Sequence, residues 1–259
     1  MKTILLSSLF AAVCLVACSS SADADDDDTS SSSSGGSSGA STSSGGSSGG
    51  GGGECTAARA EALQEQSSVT TGAVSSLAPE SGEGTWLYVD ASAGGAGPAA
   101  SKPRVYVNLE RLERVDVSDV DAQSSTDWDL AIKRTNVFTN GGVGGPGEGG
   151  AKEIKKSFED VTAADATDIA SEAFFNDDCE LIMKDIGGQP DPYTFESTMS
   201  GWYDYDMQGH GVTPRDTTFI VKGGAGALYK VKFEKYAANP DGSKGETTAR
   251  FLLRVAPLP

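Results

Sequence analysis

The strongest periodicity in the chain lies between Thr217 and Tyr236. Thr217-Thr218-Phe219-Ile220-Val221-Lys222 and Leu228-Tyr229-Lys230-Val231-Lys232-Phe233-Glu234-Lys235-Tyr236 are β-branched and aromatic runs divided by Gly223-Gly224-Ala225-Gly226, which predicts a β-hairpin. In the second run Tyr229, Val231 and Phe233 point one way and Lys230, Lys232 and Glu234 the other, the pattern of a strand with one wet face. Pro214 has no backbone N–H, so Thr213-Pro214-Arg215-Asp216 is expected to bend the chain into this hairpin, with the strand starting after it. Near the end, Ala249, Phe251, Leu253 and Val255 alternate with Arg250, Leu252 and Arg254, predicting a half-buried strand. Upstream, Trp86-Leu87-Tyr88-Val89 and Val105-Tyr106-Val107-Asn108-Leu109 read as strands separated by a Gly/Ala/Pro-rich loop, and Trp128, Leu130 and Ile132 fall on one face of another. Helical signals are short. One covers residues 56–66, and Thr162 with Asp165 caps a second running to Ala170. Residues 173–186 read equally as strand or loop, and the glycine-dense stretch 140–150 reads as a flexible loop. Many short strands with Gly/Pro punctuation predict an all-β fold of mostly antiparallel strands with short helices at the periphery.

The N-terminal fifth follows a different pattern. Met1-Lys2 and the apolar run from Ile4 to Val16 form a charged start and a hydrophobic stretch too brief to span a bilayer, as in an export signal. It ends in Leu15-Val16-Ala17-Cys18, which looks like a bacterial lipobox, the site at which Cys18 is acylated and becomes the new N-terminus. Acyl chains hold a protein to a membrane through buried methylenes. Ser19 after the cysteine, with no aspartate there, favours transfer to the outer membrane. The Asp/Ser/Gly-rich stretch that follows has too little apolar surface to offset the entropy of ordering, and is expected to be a flexible tether with an r.m.s. reach of roughly 30 Å. The run Asp25-Asp26-Asp27-Asp28 reads as a solvated spacer, since it lacks the interleaved turn residues of a calcium loop. The expected organisation is a signal peptide over 1–17, an acylated cysteine and tether over 18–54, and one β domain over 55–259.

A formal net charge of −17 makes nucleic acid an improbable partner, and with no second hydrophobic span the acyl group is the expected membrane attachment. With Cys14 removed alongside the signal and Cys18 acylated, Cys55 and Cys179 remain, and in an oxidising compartment this even pair reads as a disulfide. No G-x-S-x-G, H-E-x-x-H or phosphate loop occurs, so the chain is read as a binding protein rather than an enzyme. Asp204-Tyr205-Asp206 could offer hard oxygen ligands, but alternation sends both carboxylates to the wet face of a strand and no calcium loop accompanies them. His210, the only histidine, sits between Gly209 and Gly211, where it reads either as a solvent-facing turn residue or as a metal ligand.

Ser125-Thr126-Asp127-Trp128-Asp129-Leu130-Ala131-Ile132 with Thr139-Asn140-Gly141-Gly142, then Gly201-Trp202-Tyr203-Asp204-Tyr205-Asp206 with His210 and Thr213-Pro214, and then Leu228-Tyr229-Lys230-Val231-Lys232-Phe233, together resemble the HmuY family. The resemblance implies an all-β lipoprotein that binds haem through two axial protein ligands and works beside an outer-membrane haem receptor. A bis-histidine site within one chain is excluded, and Lys133-Arg134 follow the Trp-Asp motif where haem-binding members can carry a histidine. The resemblance therefore implies His210 as haem-iron ligand with a thioether second ligand, from Met207, Met199 or Met183. It implies pocket walls from Trp202, Tyr203 and Tyr205, and Arg215 and Lys133 as cations for the propionates. The alternative is a HmuY-fold lipoprotein without haem binding, acting as a surface interaction or envelope module or holding another small ligand.

Overall fold

The computed structural model describes residues 55–79 and 82–259; the predicted signal peptide, Cys18 and tether lie outside the described residues. In chain order the elements are helix α1 (Thr56–Ala62), strands β1 (Val74–Leu77) and β2 (Thr85–Asp90), helix α2 (Ala96–Ala99), strands β3 (Val105–Asn108) and β4 (Glu113–Val115), and helix α3 (Asp119–Ala122). Strands β5 (Leu130–Lys133), β6 (Asn136–Thr139), β7 (Gly150–Ile154), β8 (Met183–Asp185) and β9 (Pro190–Phe195) follow. The last are β10 (Tyr203–Asp206), β11 (Gly211–Pro214), β12 (Thr218–Lys222), β13 (Leu228–Lys235) and β14 (Arg250–Pro257). Among the described residues every pair of these strands is antiparallel, where the residue pattern predicts mostly antiparallel pairing.

The predicted hairpin is β12–β13, with Val221 opposite Tyr229, and it lies inside a six-stranded sheet ordered β1-β2-β14-β13-β12-β7. A four-stranded sheet, β4-β3-β5-β6, packs against it face to face. Leu87, Val89, Val231, Leu253 and Val255 of the large sheet meet Val105, Val107, Leu130 and Ile132 of the small one in a single core. Within it Trp202 stacks on Phe233 at 4.8 Å and meets Phe251 edge-on at 5.2 Å, so the aromatic pair at the entrance to β10 anchors the fold. The far face of the small sheet carries a second core around Trp128, Tyr106, Phe138, Phe174 and Phe195.

Several expectations change. The face of β13 taken as wet is covered at one end: Lys230 is 3 % exposed and its Nζ lies 4.9 Å from the ring centre of Phe158, because residues 154–161 fold back over the sheet with Val161 and Leu258, while Lys232 and Glu234 stay partly exposed. The β14 strand is buried on both faces, with Leu252 in a small cluster under Ala238 and Tyr88. Trp128 does not share a face with Leu130 and Ile132, because the chain bends at Asp129, whose carboxylate accepts the backbone N–H groups of Leu109 and Gly224. Thr213-Pro214 is the end of β11, a strand of an isolated two-stranded hairpin, where proline's missing donor costs little, so the expected bend shifts to Asp216, and β12 starts after it as expected.

Residues 140–150 are packed rather than loose. Asn140 is fully buried, its side chain bonding the Ser125 and Trp128 carbonyls and receiving the Gly147 N–H. A Cβ at Gly149 would come within 2.5 Å of the Asn140 carbonyl oxygen, so only glycine permits that approach. The predicted helix after Thr162 shortens to one 3-10 turn, Ala163–Asp165, capped as expected by Asp165 on the Thr162 N–H at 3.0 Å. The Cys55–Cys179 disulfide forms, tying the start of α1 to the segment before β8 across 124 residues. In the chain-entropy account a loop of that length contributes about 4 to 5 kcal/mol.

Candidate functional site

Two hairpins outside the sheets build the site. In β10–β11 the Asp206 carboxylate accepts the Gln208 N–H at 2.9 Å; backbone donors from Gln208 and Gly209 hold its pKa below the usual carboxylate range and close the turn. His210 ends that turn at φ +53°, a left-handed position that histidine tolerates better than branched residues. Its Nδ1 lies 2.9 Å from the Tyr205 hydroxyl, a contact that orients the ring. In β8–β9, Asn136 takes the place of a neighbouring strand: its Nδ2 donates to the Tyr193 carbonyl at 2.8 Å and its Oδ1 receives the Phe195 N–H at 3.1 Å. Thr135 and Thr194 hydroxyls meet at 2.6 Å beside them. Tyr193 is left 78 % exposed.

Both hairpins, the β5–β6 turn and the loop after β13 enclose one groove of about 1170 Å³, slightly above the roughly 300–1,000 Å³ of ordinary small-molecule sites. His210, Met207 and Tyr205 line it from β10–β11, Met183 and Tyr193 from β8–β9, and Tyr203 and Tyr236 from the floor. The Tyr203 hydroxyl lies 3.2 Å from the Asp191 carboxylate and 3.1 Å from Thr194 Oγ1, and burial raises its pKa. Beneath it Lys184 places its Nζ 3.4 Å from the Tyr203 ring centre and donates to the Ser200 carbonyl; burial lowers its pKa to about 8.

The groove's inner corner is cationic. Lys133 is 8 % exposed, and its Nζ has no hydrogen-bond partner among the described residues. Burial first, and then Arg104, lower its pKa to about 8. Arg104 lines the same groove; its guanidinium donates to the Leu63 carbonyl at 2.8 Å and to Asp119 at 3.4 Å, while its Nε is unpartnered.

Of the residues expected from sequence, the structure brings His210, Met207, Met183, Tyr203, Tyr205 and Lys133 together at the groove. Met199 and Trp202 lie fully inside the sandwich core and do not line it. Arg215 is turned outward in an exposed pair with Asp204 at 2.6 Å. Asp204 and Asp206 are both exposed, and no group of three or more His, Cys, Asp or Glu able to hold a metal ion occurs among the described residues. Arg104, Tyr193 and Tyr236 were not singled out by sequence. The signal for Tyr193 is local: Pro190-Asp191-Pro192 forces an extended chain that presents the next side chain outward.

The family model for HmuY protein matches residues 100–251, more than half of the chain. The chain belongs to the HmuY family. The match runs from just before β3 into β14 and so includes the cationic corner and both hairpins of the groove. Three solved structures are similar to it. One is a candidate lipoprotein from Bacteroides fragilis, 18 % identical, covering 69 % of this chain and 92 % of its own at TM-score 0.43. Another, a candidate HmuY-like haem-binding protein from Bacteroides vulgatus, is 18 % identical over 66 % of this chain and 89 % of its own, at TM-score 0.43. The third is an apo HmuY analogue from Tannerella forsythia, 19 % identical over 74 % of this chain and 98 % of its own, at TM-score 0.42. No curated protein matches the sequence.

Toward a haem iron the groove offers one imidazole, oriented by Tyr205, and thioethers from two elements, with aromatic rings around them. A bis-histidine set within one chain is excluded by the single histidine.

Proposed function

We propose that this chain binds haem or a related tetrapyrrole in the groove between the two hairpins, without turnover, and does so as a lipid-anchored protein of the outer membrane. The observation that carries the reading is the convergence of His210, Met183, Tyr193 and Tyr236 on one volume large enough for a macrocycle, from three separate parts of the chain. His210 would hold the iron through an imidazole nitrogen, with Tyr205 orienting the ring. Met183 would be the better thioether ligand, because it comes from another element, whereas Met207 sits in the same turn as His210. When bound, the haem would supply the metal centre, and the protein the ligands, orientation and aromatic walls. The lipobox at Cys18 supports the anchor, and an outer-membrane haem receptor is the partner class that fits a haem carrier.

A second reading, a HmuY-fold surface module that holds no haem, is favoured by one observation: the only histidine is exposed on a hairpin turn. Titration of the mature chain with haemin, followed at the Soret band, separates the two. The proposal expects saturable binding with a red-shifted low-spin spectrum that His210→Ala abolishes and Met183→Ala alters. Nonspecific haemin spectra from wild type would favour the second reading. Labelling with palmitate in cells, compared with Cys18→Ser, tests the anchor: only the wild type should incorporate it.

A further inference from the structure

We infer that the β10–β11 turn holds a soft monovalent metal ion, of the Cu(I) or Ag(I) class, between the Met207 thioether and the His210 imidazole. This goes beyond haem binding and stands on the one groove-lining methionine that the iron reading leaves without a role. Asp206 pairs with Gly211, so Met207 and His210 are the first and last residues of the four-residue turn that joins the two strands. A turn of that length keeps its end residues within about 7 Å of each other at Cα. Both residues line the same groove. Met207 is 57 % exposed, whereas Met199 is fully buried and Met183 is half-buried. An exposed thioether contributes little to a core, and this one lies beside the chain's only imidazole.

The protein shapes this turn from its own bonds. The Asp206 carboxylate accepts the backbone N–H groups of Gln208, at 2.9 Å, and Gly209. His210 closes the turn at φ +53°, and the Tyr205 hydroxyl, 2.9 Å from Nδ1, orients its ring. The same bonds select the ion. Asp206, the carboxylate at the start of the turn, is engaged with the turn's backbone, and Asp204 is paired with Arg215 at 2.6 Å. The donors left are one nitrogen and one sulfur. That set is too small for a tetrahedral zinc site and too soft for calcium or magnesium, which take oxygen ligands. Thioether with imidazole suits a monovalent copper-like ion, which is satisfied by few, soft donors.

The test is a calorimetric titration of the mature chain with Ag(I), an air-stable substitute for Cu(I), in chloride-free buffer, with Zn(II) as the control. Wild type should bind one ion per chain. Met207→Leu and His210→Asn should each weaken binding by about 10-fold or more, the range in which disturbing a metal's surroundings is felt. Asparagine tolerates the left-handed backbone at this position, so the second variant keeps the turn. The single histidine makes the imidazole NMR signals unambiguous, and they should shift together with the Met207 methyl signal as Ag(I) is added. Zn(II) should bind weakly and without regard to Met207→Leu. Ag(I) affinity undiminished by Met207→Leu, imidazole signals that do not move, or Zn(II) bound as tightly as Ag(I) would each overturn the inference. The haem reading fails separately: Met207→Leu should lose Ag(I) while keeping the haemin spectrum, and a wild type with Met207-dependent Ag(I) binding but no specific haemin spectrum would refute haem binding alone.

Discussion

Glu172 and Lys133 are both charged and buried, and the molecule treats them in opposite ways. Glu172, 3 % exposed, receives the backbone N–H and hydroxyl of Thr139 at 2.8 and 2.9 Å and those of Thr198 at 2.9 and 2.6 Å. It pins the end of β6 to the segment before β10. Lys133, 8 % exposed, has no partner for its amine. Desolvation acts on both: it raises the pKa of Glu172 and lowers that of Lys133. For Glu172 the four donors oppose the shift; for Lys133 only Asp119 does, against Arg104. A buried charge that is fully bonded belongs to the architecture, whereas one left without a partner is a cost that the fold carries.

The contrast can be broken most forcefully on the architectural side. Glu172→Ala strands four buried or part-buried donors and should destabilise the domain by about 3 to 5 kcal/mol in urea unfolding, the range for disrupting a buried charged network. Next in size, replacing both Cys55 and Cys179 by serine should cost about 2 to 5 kcal/mol in the same assay, with the groove's ligand affinity far less affected because the bridge lies at a separate cleft. Lys133→Met should move stability the other way, leaving it unchanged or raising it by about 1 kcal/mol, since an apolar chain of similar volume replaces an unmatched charge.

The pH dependence sharpens the same point. Lys133 and Lys184 have folded pKa values of about 8 against 10.5 for the unfolded chain, so between those limits the unfolded state holds more protons. Stability contributed by these two groups should therefore rise from pH 8 towards 10.5, and the penalty should be fully present below pH 8. Thermal melts across that window should show a shallower rise in Lys133→Met. The smallest effect is expected at the rim: Arg215→Ala breaks only an exposed pair and should change stability by less than about 0.5 kcal/mol and porphyrin affinity little.

Local signals in the sequence carried much of the fold. The β12–β13 hairpin, the disulfide and the mostly antiparallel all-β architecture follow from alternation, glycine punctuation and cysteine parity. Errors arose where a distant segment decides which face is covered. Nothing near Lys230 announces that Phe158, over seventy residues earlier, will lie on it, and nothing near Trp128 announces the bend that Asp129 makes by capping Leu109 and Gly224. The glycine-dense loop looked loose because glycine serves both flexibility and close approach, and only the packing against Asn140 distinguishes them. In the site, His210, Tyr205 and Met183 were visible as chemistry, but the separation of groove-facing Tyr203 from core-bound Trp202 and Met199 depends on where the hairpins land. Arg104 was not legible as a groove residue, since its place there comes from its register opposite Lys133.

Hydrogen–deuterium exchange of the mature chain with and without haemin would show whether the groove between the two hairpins is the binding site. Ligand-dependent protection is expected in residues 183–195 and 203–214 and in the β5–β6 turn, and its loss in His210→Ala. Protection confined to other segments, such as the cleft of about 200 Å³ beside the Cys55–Cys179 bridge, or no protection at saturating haemin, would contradict it.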